Sequence, residues 1–556
     1  MTPSQPDAAA PGDSGQPPQR AGGLGPLVRQ LNLGTAFTLT ALAALLHLVL
    51  LFQAGGLWRD EVNSVRFARM PSLATVFSSL RYDSYPVGST LFFRLWALVA
   101  GTDQGFRVAG LLVGLAILAA LWWNARILKP GIPLLSLILL AVNPVLLRYG
   151  DSVRPYGLGI LFTVLAFGFF ARLTAHPSAR NFCWACLSAI LSVQCLFQNA
   201  LLVAVFCLAG VLVSLGRRRY FATLRLAGAG AIAALSLLPY LGPIRAAGEW
   251  AALTQTSAAH AVMWKILSDA LSAQADFMLP LWCGLCVLGL LAAVIFARPA
   301  SAAPADGKDV LVFSAIALAA AVPVFLAFIR AMNLPTQVWY FLPLMAPCAA
   351  CLDALFAPLL RTRIGRLAAP VAAIAVVILL TPRTWASLQL RATNVDLVAS
   401  AITDQASPHD LIVVSPWYMG VSFARHYSAA ARWTTLPPLE DHSIHRYDLL
   451  KLSMQLEDPI APVLQAARDT LAAGNRLWYV GVLVAPPAGS APPVLPPAPH
   501  GPQGWFSPPY NDAWMLRFGA FLAAHAGSVS AVPVEAPNPV SPLENVPLVV
   551  FSGWRP

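Results

Sequence analysis

Charged residues are scarce in this chain. Asp, Glu, Lys and Arg make up 11% of its 556 residues, whereas 57% are hydrophobic and the mean hydropathy is +0.65. A typical soluble protein carries roughly 25% charged residues. A soluble globule cannot bury so much apolar surface, but a polytopic membrane protein can, because lipid covers its apolar helices. The composition therefore excludes disordered, fibrous and small disulfide-stapled proteins, and it predicts an α-helical polytopic membrane protein.

Acidic residues are scarcer than basic ones, which leaves a net charge of +11 from 36 Lys and Arg against 25 Asp and Glu. An excess of this size can indicate nucleic-acid binding. Here, however, much of the basic excess lies in loops that flank apolar runs, where Lys and Arg set the orientation of a membrane protein. We therefore expect membrane lipid, and no nucleic acid, among the partners.

Cysteine is also rare, and all eight cysteines fall inside apolar segments. Three pairs have CxxC spacing, but polar partner ligands for a zinc or redox site are missing around them. Small residues at helix interfaces explain the spacing better. The hydrophilic part after residue 385 has no cysteine, so it holds no disulfide.

Eleven apolar runs are long enough to span a bilayer. A further run, 86–100, is short and carries Arg94 at its centre. If this run lies on the outer surface and the N-terminus is cytoplasmic, basic loops such as 217–219 and 361–366 all face the cytoplasm, as the positive-inside rule requires. We therefore predict about 11 spans in a bacterial inner membrane. The predicted spans are 33–53, 106–128, 132–148, 156–173, 182–198, 200–216, 221–243, 279–297, 310–329, 339–357 and 367–381.

Composition divides the chain into three parts. Residues 1–32, rich in Pro, Gly and Ala, are typical of a disordered cytoplasmic tail. Residues 33–384 form the membrane domain, whose first external loop is 54–105. Residues 385–556 alternate helix-like and strand-like stretches and predict a soluble periplasmic α/β domain with a Pro-rich loop at 485–509. Strand-like runs lie at 410–415, 476–482, 528–534 and 546–551.

Three acids of the first external loop are candidate site residues. Asp60 and Glu61 follow the first span, and Asp83 lies shortly before Pro86. Ionisable groups near a bilayer are costly to desolvate and tend to be functional. A carboxylate here can act as a general base toward a hydroxyl or amine, or hold a divalent cation. The alternatives are an acidic helix N-terminus for the pair and a helix cap for Asp83.

Arginines and aromatics mark the outer ends of later spans. Arg154 precedes one span, and Arg330 lies before Trp339 and Tyr340 at the start of another. A guanidinium can hold a phosphate by two parallel hydrogen bonds. The alternatives are snorkelling to lipid headgroups or an ion pair with Asp151 for Arg154, and an ordinary aromatic belt for Trp339.

One histidine pair, His442 and His445, lies beside Glu440 and Asp441 in the soluble domain. The spacing allows metal binding, but a solvated polar loop is the favoured interpretation.

The order of these features resembles the C-fold class of membrane glycosyltransferases, in particular the protein O-mannosyltransferases and the bacterial aminoarabinose transferase. The motifs that carry the resemblance are Asp60-Glu61, the helix led by Pro86, and Arg154 with Tyr156. The resemblance covers roughly residues 33–380. It implies the C-class glycosyltransferase fold. It also implies inverting transfer of a sugar from a polyprenyl-phosphate donor to a lipid, glycan or protein acceptor on the periplasmic face.

The resemblance also implies site residues. Asp60 matches the acid that acts as base or orients the acceptor, and Glu61 matches its companion. Asp83 matches a second loop acid, which helps to form a metal or donor site in some members. Arg154 and Tyr156 match an Arg-x-Tyr motif that faces the donor phosphate.

The chain departs from the family pattern at two places. Many relatives have His-Pro-Pro-Leu where this chain has Tyr85 and the three residues after it, so the histidine role is lost or passes to Tyr85. Many have Arg-Tyr where this chain has Trp339 and Tyr340, which leaves Arg330 as a further candidate for the donor phosphate. We expect Arg59, Tyr85 and Tyr340 to contact substrate. The sugar, the acceptor and the need for a divalent cation stay open.

Two other functions stay open as well. A transporter or flippase for a lipid-linked glycan usually carries charges or broken helices at the bilayer midplane and two related halves, which this sequence does not display. An inactive scaffold of the same fold is compatible with the departures from the family pattern.

Overall fold

The computed structural model describes residues 24–83, 85–128, 131–251, 260–272, 275–298, 305–332, 336–487, 490–500 and 506–556. Most of the predicted tail, residues 1–23, lies outside the described residues. The first helix already begins at Leu24, ahead of the predicted first span at 33.

Helices make up the described part of the membrane domain. Their bounds are α1 Leu24–Gln53, α2 Arg59–Ala68, α3 Leu73–Ser79, α4 Val87–Trp96, α5 Asp103–Ile127, α6 Leu134–Leu140, α7 Pro144–Gly150, α8 Pro155–Ala175, α9 Ala179–Cys195, α10 Asn199–Gly216, α11 Tyr220–Leu235, α12 Leu241–Ala251, α13 His260–Ser272, α14 Met278–Phe296, α15 Ala305–Met332, α16 Leu342–Leu360 and α17 Arg363–Gln389.

Nine helical stretches within the described ranges are long and apolar enough to cross a membrane. A helix satisfies its own backbone hydrogen bonds, which is what an apolar segment needs in lipid. The chain is therefore a multi-pass membrane protein, as its composition predicted. The nine stretches are Gln30–Gln53, Asp103–Ile127, Pro155–Ala175, Asn199–Gly216, Tyr220–Gly248, Met278–Phe296, Gly307–Met332, Val338–Leu360 and Arg363–Gln389.

Two of the eleven predicted spans do not correspond to any of these nine stretches. The run 132–148 is split into α6 and α7, because the Asn143 side chain accepts a hydrogen bond from Leu146 N at 2.8 Å and starts a new helix with Pro144. The run 182–198 is the 17-residue helix α9.

Although α6 and α7 are short, together they bring the chain back to the end of the bundle where α5 begins. Asp103, at the start of α5, accepts a hydrogen bond from Leu57 N at 2.9 Å. Val153, just after α7, donates its N–H to Glu61 at 2.9 Å. The start of α5 and the turn after α7 therefore both lie beside the first loop.

The run 86–100 forms the ten-residue helix α4. At 1.5 Å per residue it is about 15 Å long, too short to span, in line with the prediction. Its Arg94 donates to the carbonyl oxygens of Met70 at 2.6 Å and Ala68 at 3.2 Å. The guanidinium is thereby bound to the backbone that follows α2.

The C-terminal part is an α/β domain, as predicted. Its sheet has the order β2-β1-β3-β5-β4, with β1, β2 and β3 parallel and β4 and β5 antiparallel to their neighbours. The central strands β1 and β3 are buried along their whole length, which explains their uninterrupted apolar sequences. The elements are α18 Val395–Gln405, β1 Leu411–Val414, α19 Gly420–His426, β2 Arg432–Thr435, α20 Tyr447–Met454, α21 Ala461–Ala472, β3 Leu477–Val480, α22 Pro508–His525, β4 Ala526–Val532 and β5 Leu548–Trp554.

This domain packs directly on the first loop, residues 54–105. Ala392 N donates to the Ala54 carbonyl at 2.7 Å. Gly55 has a φ of +67°, and the guanidinium of Arg391 fills the space where a Cβ would stand. Arg425 forms an ion pair with Asp103 at the start of α5. The soluble domain therefore covers the loop that carries the acids.

Candidate active site

The helix α2 places the two neighbouring acids on different sides. Its start is capped by Glu61, which accepts a hydrogen bond from Trp58 N at 3.4 Å. Consecutive residues of a helix point about 100° apart, so Asp60 and Glu61 meet different surroundings.

Glu61 is buried in an ion pair. Both of its oxygens accept hydrogen bonds from Arg107, each at 2.9 Å, and Oε1 also accepts one from Val153 N. Its side chain is 1% exposed. The carboxylate thus ties α2 to α5 and to the turn after α7, and it is closed to a substrate.

Asp60 is open by comparison. Its side chain is 25% exposed, and its carboxylate accepts no hydrogen bond from any described residue. Arg59 Nε lies 3.9 Å from Oδ1. Burial acts to raise the pKa of Asp60, but the charges of Arg154 and Arg59 outweigh it and lower that pKa below its usual value. Asp60 is therefore ionised at neutral pH with its lone pairs free.

Arg154 lies against the backbone of α2. Nη1 donates to the Asp60 carbonyl at 2.9 Å and to Ser64 Oγ at 3.0 Å, and the guanidinium lies 4.7 Å from the ring centre of Tyr85. Nη2 is 4.0 Å from Asp83 Oδ1. Burial acts to lower the pKa of Arg154, but Tyr85, Asp83 and Asp60 raise it, so the cation is firmly charged. Its Nε is buried without a partner among the described residues.

Asp83 faces this arginine and does not cap α4, whose N-cap is Pro86. Asn63 Nδ2 donates to Asp83 Oδ2 at 3.3 Å. The helix-cap alternative for Asp83 is therefore wrong, and this acid belongs to the same cluster as Asp60 and Arg154.

Aromatic rings form one wall of the cluster. The hydroxyl groups of Tyr85 and Tyr156 are hydrogen-bonded, and their rings meet edge to face at 5.8 Å. Trp339 packs against Tyr156 at 6.2 Å and against Trp58 at 6.1 Å. It is buried, so the aromatic-belt interpretation of Trp339 is wrong. Tyr340 meets Trp339 edge to face at 6.2 Å.

Arg59 joins the two domains. Its backbone N donates to Glu544 Oε2 at 2.9 Å, and its guanidinium lies over the rings of Trp58 and Tyr418. Glu544 is fully buried and also accepts a hydrogen bond from Ser422 Oγ at 2.6 Å. Burial raises the pKa of Glu544 to about 7, against the opposing effect of Arg59.

Arg330 is exposed in the last turn of α15. A role for Arg330 at the donor phosphate stays a prediction.

The C-terminal domain adds two residues that the sequence did not assign to the site. His445 N donates to Asn63 Oδ1 at 3.1 Å, one helical turn after Asp60 on α2. Tyr447 packs on the His445 ring. His445 is 7% exposed, so the solvated-loop interpretation is wrong for this residue. The buried Ile444 beside it is the one sequence signal that this segment is not a surface loop.

Metal ligands are not gathered in the part of the chain that the structure describes, which contains no group of three or more His, Cys, Asp or Glu side chains placed to share an ion. His442 instead packs on the ring of Trp433 at 4.5 Å.

No protein-family model matches this sequence, and no curated protein matches it. Among solved structures, the chain is similar to ArnT from Cupriavidus metallidurans bound to undecaprenyl phosphate. The TM-score is 0.53 and the identity 13%, over 93% of this chain and 98% of that one. It also matches an oligosaccharyltransferase from Archaeoglobus fulgidus tethered to an acceptor peptide, with a TM-score of 0.46 and 12% identity, over 81% of this chain and 69% of that one. The C-class glycosyltransferase fold that the sequence predicted is thereby confirmed.

Proposed function

We propose that this chain transfers a sugar from a polyprenyl-phosphate donor to a lipid, glycan or protein acceptor, with Asp60 as the general base. The observation that carries the proposal is the ionised carboxylate of Asp60, free of hydrogen bonds from described residues, beside the buried cation Arg154. The similar structure of ArnT was solved with undecaprenyl phosphate bound, which supports this class of donor.

The proposed reaction is a single displacement. Asp60 accepts the proton of an acceptor hydroxyl or amine as that oxygen or nitrogen attacks the anomeric carbon. The bond between the anomeric carbon and the phosphate oxygen breaks, and polyprenyl phosphate leaves with the electron pair. Attack opposite the leaving group inverts the anomeric centre, by the logic of inverting glycosidases.

Arg154 is the group that stabilises the leaving phosphate in this proposal. Charge builds up on the phosphate as the bond breaks, and a fixed cation placed there lowers the barrier. The unpartnered Nε of Arg154 is a buried donor that a phosphate oxygen can satisfy. Asp83, 4.0 Å from Nη2, holds the guanidinium in place.

We place the site on the periplasmic face of a bacterial inner membrane. The support is the positive-inside pattern, in which basic turns such as 217–219 face the cytoplasm. In that turn Arg217 and Arg219 both pair with Asp309, at 2.8 and 2.9 Å. The polyprenyl tail of the donor would lie in lipid between helices, with its head at the first loop.

The test is Asp60→Asn in the purified full-length protein in lipid nanodiscs. The assay uses a panel of undecaprenyl-phosphate hexoses and pentoses with the lipid, glycan and protein fractions of a bacterial envelope, and mass spectrometry detects the product. Loss of a general base slows transfer by about 10²–10⁴-fold, and we expect that loss with normal protein amounts. Asp404→Asn, at an exposed acid of the soluble domain, is the matched control.

Full transfer by Asp60→Asn would contradict the assignment of Asp60. Donor binding by the wild type with no turnover on any fraction would favour the inactive scaffold. Movement of the intact lipid-linked glycan across the bilayer, without transfer, would favour the flippase.

A further inference from the structure

A short piece of the C-terminal domain, residues 444–448, is inserted into the first external loop; we call it the docked segment. Ile444 is buried in a cluster with Phe67 and Leu80. At the other end of the segment, Asp448 accepts a hydrogen bond from the hydroxyl of Tyr82 at 3.0 Å. The segment is therefore fixed on both sides by residues of the first loop.

The backbone of His445 is part of this attachment. His445 N donates to Asn63 Oδ1 at 3.1 Å, and the amide nitrogen of the same Asn63 donates to Asp83 at 3.3 Å. Asp83 in turn lies 4.0 Å from Arg154. One asparagine thus connects the docked segment to the acid that faces the proposed phosphate-binding arginine.

The side chain of His445 has an unused polar atom. The imidazole packs against the rings of both Trp417 and Tyr447, at 6.3 and 6.1 Å between ring centres. Its Nε2 is buried and has no hydrogen-bond partner among the described residues. Leaving a buried polar atom unpaired is costly, so such an atom in a site indicates a group that binds there.

Burial decides the protonation of the imidazole. Burial lowers the pKa of His445 to about 4, helped by Arg59 and Arg154 and opposed by Asp60. The ring is therefore neutral at pH 7, with one N–H donor and one lone pair. A neutral imidazole can donate a hydrogen bond to a hydroxyl or amine, or accept one from it.

We propose that His445 Nε2 forms a hydrogen bond with the acceptor, either at the nucleophilic hydroxyl or amine or at the polar group next to it. This bond positions the nucleophile for Asp60. The C-terminal domain then supplies an acceptor-positioning residue to a site whose base and phosphate-binding cation come from the membrane domain. This inference rests on the proposed function. His445 is a positioning residue, since the proton goes to Asp60.

The experiment compares His445→Ala and His445→Gln with the wild type in the same nanodiscs. We expect His445→Ala to lower kcat/KM for the envelope acceptor fraction at least 10-fold. Binding of undecaprenyl phosphate should stay within twofold, and so should the slow hydrolysis of the donor by water. His445→Gln should recover part of kcat/KM, because its amide offers a donor and an acceptor at a similar reach.

His442→Ala is the matched control. This half-buried histidine is three residues away and packs on Trp433, so its loss should leave kcat/KM unchanged.

Three results would overturn the inference in distinguishable ways. Unchanged acceptor kcat/KM in His445→Ala, in a protein that Asp60→Asn inactivates, would remove His445 alone. Equal loss of undecaprenyl phosphate binding and transfer in His445→Ala would assign the residue a structural role. Wild-type protein that neither binds the lipid phosphate nor transfers a sugar would refute the proposed function and this inference together.

Discussion

At the scale of single residues, two adjacent acids have opposite environments. Glu61 has both oxygens bonded, whereas the carboxylate of Asp60 has no hydrogen bond from the residues described. The sequence singled out the pair through the scarcity of charge around it. It did not distinguish the two, because the partner that neutralises Glu61 is Arg107, 46 positions along the chain.

This difference predicts that Glu61→Gln damages stability more than chemistry. The change leaves the charge of Arg107 buried and uncompensated, and breaking a buried ion pair in this way costs about 3–5 kcal/mol. We expect a lower apparent Tm and a lower yield of folded protein. Adding Arg107→Met removes the orphaned charge and should restore part of the Tm. A variant with a normal Tm and no transfer would instead give Glu61 a direct part in the reaction.

The His445 assignment shows a limit of sequence interpretation at the same scale. A polar run with two histidines is usually solvated, and the sequence gives no signal that Asn63 lies beside it. The contact between His445 N and Asn63 spans 382 positions, and local composition cannot reveal it.

At the scale of elements, the N-terminus of α8 positions Arg154. Arg154 is the N-cap residue and Pro155 begins the helix. The next turn packs closely on α7: a Cβ added at Gly157 would lie 2.0 Å from the carbonyl oxygen of Gly150. The backbone of α7 cannot move aside as a flexible side chain could, so only glycine allows the two helices to approach this closely.

We therefore expect Gly157→Ala to push α8 away from α7 and to move Arg154. Overpacking of this kind costs about 1–3 kcal/mol. The apparent Tm should fall, and binding of undecaprenyl phosphate should weaken at least fivefold. Gly284→Ala in α14 is the control, since no atom lies within 4 Å of its added Cβ. Equal Tm and binding in the two variants would show that the contact does not position Arg154.

The elements that sequence predicted best are those with the strongest pattern. Long apolar helices and the buried strands β1 and β3 need only composition and length to be identified. The break within 132–148 was missed, because Asn143 acts as a cap through one local hydrogen bond that hydropathy does not register. β2 was missed because its four residues, Arg432–Thr435, lie at the sheet edge and are largely polar.

At the scale of the whole molecule, two domains with very different compositions contribute residues to one candidate site. The backbone of Arg59 bonds to Glu544 across 485 positions, and Arg425 pairs with Asp103. Composition predicted a membrane domain followed by an α/β domain. It could not show that the two domains contact each other, because each of these contacts joins two single residues. Such contacts produce no hydrophobic periodicity in the sequence of either domain.

The path of the chain across the bundle yields a last prediction, on sidedness. We expect eleven passes, an odd number, if the α6–α7 pair and α9 cross the bilayer together with the nine long apolar helices. The N-terminus and the C-terminal domain then lie on opposite faces, and the basic turn 217–219 lies on the N-terminal side. Alkaline phosphatase, active only in the periplasm, should be active when fused after Pro556 and inactive when inserted at Arg218. A fluorescent protein that matures only in the cytoplasm should give the opposite pattern. The reverse result at both positions would put Asp60 and the docked segment in the cytoplasm, and the donor would then have to be bound from that side.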